Sequence, residues 1–261
     1  MDEYGIHPSL ELRRLFARQT IPSQGQSIER AQVLFVGLDA NYSAQLLDYP
    51  EFFERILEYH EDGVAFWKRH GVHHPFLLAE YPLSRDRGGV PYHRRFSQMG
   101  LSLEFAERVS FVELLNVPTT GRTTESVFWD LFDPGYAQRL VDLLTDGSRR
   151  LVILSGSVHR TLSAAARRTA LRVPQLILPH VGSEQRIGES RIVRWRHFSS
   201  AISQRELVGM GDEIRAFCDA ASETPVALSP TPPSVASSWP KPPFSEAYVP
   251  RAGPCRKKFE E

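Results

Sequence analysis

Cysteine, lysine and long apolar runs are what this chain has least of. Its 261 residues hold two cysteines, Cys218 and Cys255, which excludes a disulfide-stapled scaffold. Two thiols are also too few for an iron–sulfur cluster or a four-cysteine zinc site. No apolar stretch approaches the roughly 20 residues that a membrane-spanning helix needs. The start, Met1-Asp2-Glu3-Tyr4, carries neither the basic nor the apolar part of a secretory signal. A soluble, cytoplasmic protein is therefore expected. With 41% hydrophobic and 24% charged residues, the chain has enough apolar material to build a proper core.

Lysine is scarce in a way that bears on chemistry. Only four of the 31 basic residues are lysines (Lys68, Lys241, Lys257 and Lys258), and the others are arginines. Net charge is zero, yet the charges are segregated along the chain. Ten arginines against Glu184 and Glu189 lie between Arg149 and Arg196, whereas seven carboxylates against Arg55 alone lie between Asp39 and Asp62. Such a dipolar layout lets one face meet phosphates while the whole stays neutral.

Short apolar runs at Val33–Val36, Phe111–Leu115, Leu151–Leu154 and Leu176–Leu178 have the character of buried parallel strands. Helical spacing separates them, at Pro50–Tyr59, Tyr92–Met99, Pro134–Leu144, Val158–Arg172 and Ser203–Ala220. This alternation predicts an α/β fold, a three-layer α/β/α sandwich on a central, mainly parallel four-stranded sheet. One domain is expected over residues 1–221. An insertion at about 61–89, rich in His and aromatic residues, is expected over the mouth of the sheet. Nine of the 19 prolines fall in residues 222–261, which predicts an extended or disordered tail.

Ligand sites of such sheets lie beyond the carboxyl ends of the strands. Each predicted strand here runs into a polar cluster: Gly37-Leu38-Asp39-Ala40-Asn41, then Asn116 through Gly121, Ser155-Gly156-Ser157, and His180-Val181-Gly182-Ser183. In that order the clusters resemble the motifs of the uracil-DNA glycosylase superfamily. Gly37-Leu38-Asp39-Ala40 stands where that family has Gly-x-Asp-Pro, without the proline. Gly89-Val90-Pro91-Tyr92 is similar to its Gly-x-Pro-Phe segment. Leu114-Leu115-Asn116 looks like its base-reading strand end, and Ser155-Gly156-Ser157 like its next turn. His180 stands for its last motif, although Val-Gly-Ser follows in place of Pro-Ser-Pro-Leu.

The resemblance implies that a pyrimidine is rotated out of the DNA stack and its glycosidic bond hydrolysed, leaving an abasic site. Asp39 would stabilise the sugar cation and orient water, and His180 would donate to the leaving base. Tyr92 would stack on the base, Asn116 would read its edge, and Asn41 would face C5. Ser155, Ser157 and Ser183 are expected at the DNA, as are Arg94, Arg95 and Arg186, in contact with phosphates. The family places a bulky Tyr or a Gly at the Asn41 position. The small polar side chain found here favours a hydroxymethylated or glucosylated cytosine, as in phage DNA, and so a role in antiviral defence. No lysine lies between Lys68 and Lys241, so a Schiff-base lyase step is not expected and the enzyme is monofunctional.

No cofactor is expected and no metal is assigned; His70, His73 and His74 lack the cysteine or carboxylate that would complete a set. The expected partner is double-stranded DNA, with no membrane and a monomeric chain. Two alternatives stand beside this: excision of plain uracil in base-excision repair, and a non-catalytic module that grips a flipped base or an abasic site. In all of these, Asp39, Asn116 and His180 are expected to surround one cavity.

Overall fold

A computed structural model describes residues 3–173 and 176–220. In chain order the strands are β1 (Gly5–Ile6), β2 (Ser23–Gly25), β3 (Val33–Gly37), β4 (Val109–Glu113), β5 (Thr119–Thr120), β6 (Leu151–Ser155), β7 (Glu184–Ile187) and β8 (Ser190–Trp195). The helices are α1 (Leu10–Ala17), α2 (Pro50–Glu61), α3 (Gly63–His70), α4 (Val90–Ser97), α5 (Glu125–Leu131), α6 (Pro134–Leu144), α7 (Gly156–Arg168) and α8 (Gln204–Asp219). The protein is α/β, with helices around a six-stranded sheet of order β2-β4-β3-β6-β8-β7. The inner strands β4, β3, β6 and β8 are parallel, and β2 and β7 close the edges antiparallel. A separate pair, β1 with β5, ties the N-terminal segment to the loop after β4.

Both faces of the inner strands are covered, which is why β3 and β6 are almost wholly apolar and β4 carries Val109, Phe111 and Val112. Side chains alternate across a strand. Leu34, Val36, Val112, Val152, Leu154 and Ile192 accordingly enter one core cluster with residues of α6 and α7. Val33, Phe35, Phe111, Leu151, Ile153 and Val193 enter another with Trp67, Phe96, Leu207 and Ile214. The helix α8 carries Leu207 and Ile214 inward and is started by a reciprocal capping box between Ser203 and Glu206.

The fourth parallel strand is not Leu176–Leu178 but β8. Leu176 donates its N–H to the Val173 carbonyl in a turn, and Ile177 is exposed. Leu176 and Leu178 plug the core without entering the ladder. The strand β8 escaped notice because Arg191 and Arg194 interrupt its apolar residues Ile192, Val193 and Trp195. The second strand also sits earlier than expected: its ladder with β3 ends at Gly37 and Glu113, so Leu114 and Leu115 lie beyond it.

Residues 61–89 form α3, a short 3₁₀ turn at Pro75–Leu77 and a loop. Phe66, Trp67, His73, His74 and Phe76 are all buried. Gly63 lies so close to the Gly25 backbone that any β-carbon there would clash. The segment is thus packed into the body, and His74, Phe76, Gly88 and Gly89 form part of a cavity wall. No described helix is long and apolar enough to cross a membrane. The proline-rich segment 222–261 lies outside the described residues.

Candidate active site

The inner strands all point their carboxyl ends toward one cavity of about 850 Å³. Its walls are the loop Gly37–Tyr42 after β3, Glu113 at the end of β4, Gly156 and Ser157 after β6, and Trp195–His197 at the end of β8. The helix α4 contributes Tyr92 and His93. Parallel strands put these chain-distant groups together because each strand ends at the same edge of the sheet.

Asp39 lines this cavity and is held on one side. Its Oδ2 accepts from Thr119 Oγ1 at 2.6 Å, Tyr4 Oη at 2.9 Å and Asn41 Nδ2 at 3.4 Å. Tyr4 arrives through the β1–β5 pair, and burial together with the Asp39 charge keeps its phenol protonated, as a donor. All three bonds go to Oδ2, so Oδ1 stays outside this network. A carboxylate gripped at one oxygen is oriented before any ligand arrives.

Asn41 also lines the cavity, but its amide nitrogen is engaged. It donates to Thr119 Oγ1 at 3.1 Å and to the Gly121 carbonyl at 2.9 Å, tying the loops after β3 and β4 together. Tyr92 stands in the wall beside His197 and Phe198, with ring centroids 5.5 and 5.1 Å away.

Two predicted residues are not in the cavity. Asn116 is half-buried outside its lining, because β4 ends at Glu113 and the residues after it turn into the core. His180 is exposed, in a turn where its own N–H donates to Ser183 Oγ at 2.9 Å. The expected triad of Asp39, Asn116 and His180 around one cavity is therefore corrected to Asp39, Glu113 and His197.

His197 follows β8 as His180 was expected to follow the fourth strand. Burial lowers its pKa below the ordinary histidine value, which favours the neutral ring. The Ser199 N–H donates to its Nδ1 at 3.1 Å, so the proton of the neutral ring sits on Nε2. His197 is thereby set as a hydrogen-bond donor. The signal for it was His197-Phe198-Ser199-Ser200 after a strand, hidden by the arginines of that strand.

Glu113 was passed over because it lies inside the apolar run Phe111–Leu115. A carboxyl in such a run was itself the available signal. Burial, and next the charge of Asp39, push its pKa well above the carboxylate range. Its Oε2 is buried and without a hydrogen-bond partner among the described residues. Phe111 and Glu113, two apart on β4, face the cavity together.

Of the residues expected at DNA, Ser157 lines the cavity at the start of α7, bonded to Ser155 Oγ at 2.8 Å. Ser155 caps that helix through the Val158 N–H. Ser183 closes the His180 turn, and Arg186 is exposed on β7. Arg94 bonds the Arg85 carbonyl and Arg95 the Phe198 carbonyl, both outside the cavity. The arginines that do line it are Arg122, Arg160, Arg194 and Arg196. Arg194 is committed to the carbonyls of Leu178 and Pro179, at 2.8 and 3.0 Å. Arg122, Arg160 and Arg196 are exposed at the rim.

Buried histidines back the wall. His73 Nε2 is 3.1 Å from His93 Nδ1, His74 stacks on His93 with centroids 3.5 Å apart, and His60 Nε2 is 2.7 Å from Tyr42 Oη. Burial holds all four below the ordinary histidine value. His70 instead contacts Glu58. Among the described residues no cluster of His, Cys, Asp and Glu is arranged to hold a metal ion.

Comparisons with protein-family models, with curated proteins and with solved structures give no significant match to this chain.

Proposed function

We propose that this chain is a monofunctional DNA glycosylase of the uracil-DNA glycosylase type. It would rotate a pyrimidine out of the stack and hydrolyse its bond to deoxyribose. The observation that carries this reading is that an oriented carboxylate, Asp39, and a tautomer-fixed donor, His197, line one cavity with the aromatic ring of Tyr92.

Everting a base costs a few kcal/mol. Stacking on Tyr92 offsets about 1–3 kcal/mol of that. Bond cleavage then leaves positive charge on C1′ and negative charge on the departing ring. Asp39 stabilises the first and accepts a proton from the attacking water, while His197 Nε2–H donates to the second. A preorganised donor of this kind is worth about 3–4 kcal/mol. Arg122, Arg160 and Arg196 at the rim, with Ser157 at the start of α7, are suited to the phosphates flanking the everted nucleotide.

The cavity volume favours a substituted base. At about 850 Å³ it falls in the upper part of the 300–1,000 Å³ range of pockets that enclose whole drug-sized molecules. A bare pyrimidine would leave most of it to water. A C5-hydroxymethylated or glucosylated cytosine of phage DNA uses it better, and removing such a base would act in antiviral defence.

The deciding measurement incubates the full chain with single- and double-stranded oligonucleotides carrying uracil, 5-hydroxymethylcytosine or its glucosylated form. Mass detection follows the released base. Release of the modified base with an abasic site, lost in D39N while DNA binding persists, is expected. Uracil release alone would remove the modified-base assignment. Binding without any release would leave only a flipped-base binding module.

A further inference from the structure

The cavity holds a group that neither the water attack nor the donation by His197 uses. Glu113 ends β4 in register with Gly37 of β3. A β-carbon at position 37 would overlap the Glu113 carboxyl, so the glycine makes room for that side chain at the cavity wall. The tyrosines Tyr42, Tyr59, Tyr92 and Tyr136, from the loop after β3, from α2, α4 and α6, are close enough for Glu113 to act on them electrostatically. Asp39 is the one charged group that acts appreciably on Glu113 among the described residues. His74 and His93, both held neutral by burial, line the same cavity. With phenols, neutral imidazoles and a like charge around it, the carboxyl is biased toward its protonated form.

An unpartnered buried carboxyl oxygen costs stability. Here Glu113 lines a cavity large enough for a base, with Oε2 packed over Gly37. We propose that Glu113 reads the hydrogen-bonding edge of the everted base and passes its proton to N3, so that the site acts on pyrimidines carrying a 4-amino group. The inference rests on the glycosylase reading above and goes further by naming a second acid and the reason that a 4-amino base reacts faster than its 4-oxo counterpart.

A protonated carboxyl presents one O–H and one C=O side by side. Against a cytosine-type edge the O–H donates to N3 and the C=O accepts from the 4-amino group. A uracil-type edge can also pair with it, by exchanging the roles of the two oxygens, so binding alone discriminates weakly. The rate discriminates, because only the 4-amino ring has a lone pair at N3 to take the proton.

The step balances. The Glu113 proton moves to N3, leaving Glu113 as a carboxylate. The C1′–N1 bond breaks, and its electron pair goes to the ring, which departs as a neutral N3–H tautomer. Water adds to C1′ and gives a proton to Asp39. Solvent then restores the proton to Glu113 and accepts the one on Asp39.

The test measures single-turnover excision by the full chain from duplexes carrying 5-hydroxymethylcytosine, its glucosylated form or 5-hydroxymethyluracil. The last keeps the C5 substituent and replaces the 4-amino group with oxygen. E113Q preserves a donor and an acceptor in nearly the same shape, and thermal melting establishes that it is folded. Wild type is expected to release the 4-amino bases faster. In E113Q their kcat should fall by about 10²–10⁴-fold with little change in KM, the range typical of losing a general acid. The wild-type rate on 4-amino bases should decline as rising pH ionises Glu113, a limb that E113Q lacks. Equal kcat in E113Q and wild type, or faster wild-type release of the 4-oxo base, overturns the role of Glu113 and leaves the glycosylase reading standing. Folded wild type that releases no base from any duplex sinks both.

Discussion

The two walls of the cavity differ as sharply as the two halves of the charge pattern along the chain. The β3–β4 wall carries carboxyls, Asp39 and Glu113, set among tyrosines. The β6–β8 wall carries Ser157, Arg160, Arg194, Arg196 and His197. One carboxylate of the acidic stretch, Asp39, thus shares a cavity of about 850 Å³ with Arg160, Arg194 and Arg196 of the basic stretch. Within the acidic wall the carboxyls differ again. Asp39 is ringed by donors from Tyr4, Asn41 and Thr119, whereas Glu113 Oε2 has no partner among the described residues. The donors hold Asp39 in one orientation, and burial pushes the pKa of the other carboxyl upward. Two carboxyls at the ends of neighbouring strands thus meet different surroundings.

The contrast between the walls can be broken from either side. The largest effect is expected from its reacting groups: D39N and H197Q should each lower single-turnover excision by about 10²–10³-fold, the usual loss for a preorganised polar group. Measurement of abasic-site formation checks this, and a loss below tenfold in both would separate the cavity from catalysis.

Next comes acid stability. His60 and His93 are held down to about 3 and His7 to about 4 by burial, against roughly 6.5 in an unfolded chain. These depressed values mean that the unfolded state binds protons first. The stability that these histidines contribute is therefore complete above about pH 6.5. It drains as pH falls toward 3, by up to about 1.4 kcal/mol per pH unit for each ring. Denaturant melts between pH 7.5 and 4.5 should show the decline, and an H60F variant should show a shallower slope.

The rim arginines are expected to matter less. R122A combined with R160A should weaken DNA binding without changing the preferred base, and should reduce the salt dependence of log Kd by about one per lost phosphate contact. Titration at several salt concentrations reads this directly. Smallest of all, H180A and N116A should leave excision within about twofold of wild type, as is usual for substitutions outside a site. A large loss in either would restore those residues to the site.

How much was legible can be judged strand by strand. Three inner strands announced themselves because burial on both faces demands runs rich in Val, Ile, Leu and Phe, broken in β4 only by Ser110 and Glu113. The fourth did not, since Arg191 and Arg194 run off its edges: Arg191 toward Glu184 and Glu213, Arg194 back to the carbonyls of Leu178 and Pro179. One misplaced strand moved the expected donor from His197 to His180. Asp39 and Tyr92 were legible, standing at the end of a clear strand and at the start of a proline-led helix. Glu113 was legible only as an anomaly. Tyr4 and Thr119, which orient Asp39, carry no local signal, since nothing in their neighbourhood indicates that β1 and β5 pair.

Local pattern determined the alternation of strands and helices and the charge segregation, because each depends only on neighbours along the chain. The tertiary structure alone decided which carboxyl is bonded, which is buried without a partner among the described residues, and which histidines share their cavity. Those properties depend on strand order and register, and on the burial that packing imposes, which no single segment encodes.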